Sequence, residues 1–202
     1  PRANLSLLYS FAHQATEEEV NACLSYYNDD LNNSPEEFVA VCGIVGYCVL
    51  NGHQIRKTLD TARKYASHKS WRIREAVAIG IQEIAESQME ETLEGLFPWL
   101  DGNELEKRAI VAALCEPKLL KSRSHNLEIL KILIRLTQEF DQVSGKLTDK
   151  QDSLRKTLGY GWSVLIVSLP EEGKQAFEKL IENRNKNISW IVRENLKKKR
   201  LQ

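Results

Sequence analysis

Helical periodicity runs almost from one end of this chain to the other, and no stretch convincingly alternates apolar and polar residues as a half-buried strand does. Between positions 73 and 84 the apolar set is Ile73, Ala76, Val77, Gly80, Ile81 and Ile84, a stripe at spacings of three and four. Leu127, Leu130, Leu133, Ile134 and Leu136 repeat the pattern, as do Phe177, Leu180 and Ile181. Such a chain buries its apolar stripes by packing helix on helix, so the predicted class is all-α. Breakers place helices over 4–14, 16–31, 35–50, 54–67, 71–86, 88–100, 104–116, 126–142, 149–169, 170–183 and 188–200. Capping chemistry supports several starts. Thr16 with Glu19 forms a capping box, Ser34 precedes a first-turn Pro35, and Asn187 is placed to cap the last helix. Most connections are short, so successive helices must pack antiparallel. One longer connection is expected over 142–148, around Gly145.

Composition narrows the function classes. Lys plus Arg and Asp plus Glu both number 28 in 202 residues, so no global charge draws the chain to nucleic acid or an anionic membrane. The longest apolar run, 38–50, is shorter than the roughly twenty residues that span a bilayer, and reads as a buried core helix. Cys23, Cys42, Cys48 and Cys115 form no C-x-x-C pair and share no metal spacing with the scattered His13, His53, His68 and His125. They read as reduced core thiols of a cytoplasmic protein. No metalloprotease, nucleophile-elbow, P-loop or dinucleotide motif is present, so neither a metal nor a cofactor is expected.

Internal repeats sharpen the fold. Ser70-Trp71-Arg72-Ile73-Arg74-Glu75 recurs as Ser189-Trp190-Ile191-Val192-Arg193-Glu194. Weaker copies surround Arg108 and Arg155, so the four arginines are spaced 34, 47 and 38 apart. Ile73-Arg74-Glu75-Ala76, opening a helix, resembles the HEAT repeat, in which the arginine is structural and helps join neighbouring repeats. The resemblance implies one domain over 1–202: an α-α superhelix, or solenoid, of four to five antiparallel hairpins. The stretch 71–82, with Ala113-Leu114-Cys115-Glu116-Pro117-Lys118-Leu119-Leu120, also resembles an uncharacterised group of bacterial HEAT-like proteins. That likeness carries no activity with it.

The candidate site residues come from aromatics near helix starts. On a helical wheel Trp71 lies opposite the main apolar stripe, and Trp190 repeats this. Lys156-Thr157-Leu158-Gly159-Tyr160-Gly161-Trp162 resembles the K-A-[IL]-G-W motif of HEAT-like DNA alkylation-repair glycosylases, with Tyr160 at the tryptophan position. Lys69-Ser70-Trp71 resembles the opening of that family's K-S-W-W-D-x-x-D motif. Arg72 stands for the second tryptophan and Ala76 for the final aspartate, leaving Glu75, one place early, as the candidate catalytic carboxylate. The binding candidates are Trp71, Arg72, Arg74, Tyr160, Trp162 and Trp190.

Charge is uneven along the chain. Residues 54–75 hold seven Lys/Arg and two acids, 76–106 hold eight acids and no Lys/Arg, and 107–124 hold five Lys/Arg and one acid. The acidic block interrupts any basic track for a phosphate backbone. The expectation is therefore a non-enzymatic scaffold that binds a protein partner on the face of a solenoid. The alternative is a DNA-binding protein or glycosylase related to the alkylation-repair family.

Overall fold

The computed structural model describes residues 4–202, and among these every regular element is a helix. The chain divides into two compact units, Pro1–Pro98 and Trp99–Gln202. The first holds α1 (Leu5–Gln14), α2 (Glu17–Leu24), α3 (Pro35–Asn51), α4 (Ile55–Arg63), α5 (Trp71–Ala85) and α6 (Met89–Leu96). The second holds α7 (Glu104–Leu114), α8 (Arg123–Gln138), α9 (Asp149–Ser168), α10 (Pro170–Ile181) and α11 (Lys186–Leu196).

In the first unit α3 and α5 lie side by side and run parallel. Their starts meet through Glu37 and Arg72, and their ends through Gln88 Nε2, which donates to Gly52 O at 3.1 Å. Gly80 permits this approach, because a Cβ there would stand 2.6 Å from Cys48 Sγ. α4 and α6 are also parallel: Gly95 faces Ile55 and Leu59, and Arg63 Nη2 donates to Pro98 O at 3.3 Å. α2 runs antiparallel to α3, with Leu24 and Cys23 against Gly43 and Val20 against Gly46. The second unit repeats the plan. α9 and α11 are parallel, joined by Arg155 Nη1 to Asn187 Oδ1 at 3.1 Å and Asn195 Oδ1 accepting from Ser163 N–H at 2.8 Å. Gly161 of α9 rests on Val111 and Cys115 at the end of α7.

The apolar run 38–50 falls in α3, whose Ala40, Ile44, Val45 and Cys48 are at most 1% exposed. By length and composition Pro35–Arg63 could cross a bilayer. Its hydropathy is explained by packing, since α1, α2 and α5 all lie against α3. The thiols of Cys48 and Cys115 are buried, and desolvation pushes each up to about 12.

Several boundaries differ from expectation. α2 ends at Leu24, not at 31. Asn28, Asp29, Asp30, Asn32 and Asn33 follow, and their short polar side chains compete with a helix for backbone bonds. Asn28 Oδ1 accepts from Asp30 N–H at 2.9 Å, and Asn33 adopts φ 55°. α8 begins at Arg123, earlier than expected. Residues 115–122 form a second long connection beside the expected one at Gly145, where φ is +81°. The Thr16 capping box forms. Asn185, not Asn187, caps α11, and Asn187 is buried beneath Arg155. Ser34 precedes Pro35 but makes no side-chain cap bond.

Candidate functional site

Trp71 opens α5, positioned by Ser70, whose hydroxyl accepts from Arg72 N–H at 3.1 Å and so caps the helix. That hydroxyl also donates to Glu37 Oε1. Glu37 is 1% exposed, and Arg72 Nη1 donates to its other oxygen at 3.0 Å and to Asn33 Oδ1 at 2.6 Å. A buried carboxylate needs such partners, because desolvation without them is costly. His68 extends the network. Its Nδ1 accepts from Ser70 N–H at 2.9 Å, which leaves Nε2 to donate to Asn28 O at 3.1 Å. Arg74 Nη1 donates to the carbonyls of His68 and Lys69, both at 2.7 Å. Polar bonds thus clamp the 28–33 loop, the start of α3 and the start of α5 together.

Above this clamp the surface turns apolar. Leu5 and Leu8 of α1, Phe38 and Val41 of α3, and Trp71, Ala76 and Ile79 of α5 line one groove, with Arg72 and Glu75 also at its wall. The groove encloses about 50 Å³. At roughly 10–15 Å³ per water that is room for about four waters or one aliphatic side chain. Trp71 remains 53% exposed, Leu5 45% and Leu7 52%. The Arg72 guanidinium carbon lies 4.9 Å from the Trp71 ring centre, a cation–π distance. His13 of α1 meets Glu83 of α5 at 2.8 Å.

The sequence candidates are therefore divided. Trp71, Arg72, Arg74 and Glu75 lie in the first unit, and Trp71, Arg72 and Glu75 share one groove. Arg74, expected to join neighbouring repeats, bonds the turn just before its own helix. Its repeat counterpart Arg193 is exposed. Tyr160, Trp162 and Trp190 lie in the second unit. Trp162 is a correction to the expected binding set. It is 0% exposed, its Nε1 donates to Thr137 Oγ1 at 2.9 Å, and its ring packs on Phe177. Trp190 is half-buried beneath the Arg155 guanidinium, 4.4 Å from the ring centre, and lies over Gly159, where a Cβ would stand 3.0 Å from it. The glycine of the K-T-L-G-Y segment is thus occupied in seating Trp190, and Lys156 pairs with Asp152 at 2.7 Å. That bond and the neighbouring Arg155 hold the Asp152 carboxyl below its ordinary range. Tyr160 is half-buried.

Sequence reasoning missed Glu37, because an acid in the first turn of α3 reads as an ordinary helix-dipole residue. The helix over 4–14 was expected and forms as α1, but its part in the groove, through Leu5 and Leu8, was not foreseen. Among the described residues no group of three or more His, Cys, Asp or Glu side chains could hold a metal ion. No protein family, curated protein or solved structure matches this chain.

Proposed function

We propose that the chain is a non-enzymatic scaffold of the cytoplasm that binds a protein partner, each unit being a stack of HEAT-like hairpins within an α-α superhelix. The parallel pairs α3/α5, α4/α6 and α9/α11 support that reading, since stacked hairpins bring equivalent helices side by side. The observation that carries the binding function is the exposed Trp71 beside a mainly apolar groove sized for one side chain. Tryptophan and arginine dominate the energetics of protein interfaces, and here Trp71 and Arg72 stack on one another. The Glu37 and Asn33 bonds preorganise Arg72, so little side-chain entropy remains to be lost on binding.

The test is selection of helical peptides from a random display library against the wild-type chain and Trp71→Ala. Enriched peptides are expected to share an aliphatic anchor and to lose binding in Trp71→Ala while its circular dichroism stays unchanged. Peptides that bind both proteins equally would refute the site.

A second reading rests on Glu75 and Trp71 sharing that groove, a carboxylate beside an aromatic as alkylation-repair glycosylases require. Two measurements decide it: release of alkylated bases from damaged DNA, and duplex binding across a salt series. Base release abolished by Glu75→Ala would establish the enzyme. Duplex affinity weaker than the non-specific range of about 10⁻⁴ to 10⁻⁶ M would remove the nucleic-acid reading.

A further inference from the structure

The parallel pair α4 and α6 forms a second surface whose charge pattern folding alone does not explain. A shallow cleft of about 550 Å³ runs between them. One wall carries Arg56 and Lys57 in the first turn of α4, and the other carries Glu91 and Glu94 of α6. Cations at a helix N-terminus oppose the macrodipole, and the first turn of α4 holds no acid to offset them. The two walls barely neutralise one another. Arg56 reaches Glu94 only at 3.9 Å, with the side chains 86% and 58% exposed, and Lys57 meets only Gln54, at 3.5 Å. Residues that break a local rule without gain to the fold mark a surface kept for something else.

We propose that this cleft docks a mixed-charge helical segment of a protein partner. This rests on reading the chain as a protein-binding scaffold. The partner's carboxylates lie over the start of α4, where Arg56 and Lys57 favour an anion. Its ammonium or guanidinium groups lie along Glu91 and Glu94. A nucleic-acid backbone is disfavoured, because phosphates that suit the α4 wall are repelled by the α6 wall. A helix fits better than a small zwitterion because the cleft is open, with Arg56 and Lys57 on one wall and Gln88, Glu91 and Glu94 at helical spacing along the other, and opposed charges set both register and choice of partner.

The probe is a fluorescein-labelled, lactam-bridged helical peptide with a glutamate stripe and a lysine stripe on adjacent faces, read by anisotropy. All-glutamate and all-lysine versions and a duplex DNA are the comparisons. The mixed peptide is expected to bind tightest, and to lose most of its affinity between about 0.1 M and about 1 M salt as the screening length falls from about 10 Å to about 3 Å. Glu91→Lys with Glu94→Lys makes both walls basic. It should weaken the mixed peptide about tenfold, the product of a few exposed ion pairs, and strengthen the all-glutamate peptide. Circular dichroism checks that the doubly substituted chain stays folded, and Arg56→Glu with Lys57→Glu supplies an independent variant that should favour the all-lysine peptide. The proposal fails if a single-sign peptide or the duplex binds wild type as tightly as the mixed peptide, or if neither variant changes the preference. It also fails if free zwitterionic amino acids compete at micromolar concentration, or if low-salt sedimentation shows self-association through these residues. Trp71→Ala should leave this binding unchanged, so loss of one site does not imply loss of the other.

Discussion

Arg72→Ala tests whether the clamp at the start of α5 is structural. The substitution leaves the Glu37 carboxylate, 1% exposed, with Ser70 as its remaining side-chain donor. Breaking a fully buried ion pair by removing one partner costs about 3–5 kcal/mol. The Arg72 side chain is 25% exposed, so water reaches its side of the pair, and Ser70 still donates. The expected loss is therefore about 2–3 kcal/mol. With a urea slope of about 2 kcal/mol per molar, the midpoint should fall by about 1–1.5 M. Glu37→Gln removes the charge but keeps the shape, so the double variant should show a coupling energy of about 1–2 kcal/mol. Urea titrations of the four proteins by circular dichroism and fluorescence measure this, provided the two probes give coincident transitions. A midpoint for Arg72→Ala within about 0.3 M of wild type would refute the reasoning, since a loss of that size is then ruled out. Lost partner binding at an unchanged midpoint would leave Arg72 its role in recognition and remove its role in the clamp.

Gly43→Ala and Gly95→Ala should separate packing from propensity. Helix propensity favours alanine by about 1 kcal/mol in both. At Gly43 the new Cβ would meet Leu24 N at 2.7 Å, a backbone atom, so a net loss of about 1–2 kcal/mol is expected. At Gly95 the one tight contact is with the tip of Leu59, at 2.5 Å, which can turn, so thermal melts should show little change. Asp152→Asn addresses pH. Lys156 and Arg155 hold the Asp152 carboxyl low in the folded state, so its stabilisation is present above the ordinary carboxylate range and lost as pH falls through the folded value. Acid melts of the variant should therefore be flatter below about pH 4 than those of wild type, and parallel curves would refute the pairing. Native thiol labelling at pH 8 should leave Cys48 and Cys115 unmodified, since burial pushes both up to about 12, and urea should expose all four cysteines.

The sequence by itself determined the all-helical class, because a period near 3.6 in apolar residues is written directly along the chain. It also located most helices and the Thr16 capping box, which depend on neighbours in sequence. It could not distinguish Trp71 from Trp190. Both stand in the same S-W-x-[IV]-R-E frame, yet one is 53% exposed and the other lies half-buried under Arg155. The difference arises on partner helices: Gly159 of α9 leaves space for Trp190, whereas Phe38 and Val41 of α3 line the groove beside Trp71. Trp162 was misread for the same reason, since its role depends on Thr137 and Phe177, remote in sequence. Ala78 and Gln82 share the side of α5 that the wheel sets opposite the main stripe, yet both are buried, because α5 is enclosed on nearly every side beyond its first turn. Periodicity shows that a helix has a buried face. Only tertiary contacts decide how many faces are buried, and which aromatic at a helix start remains free to bind.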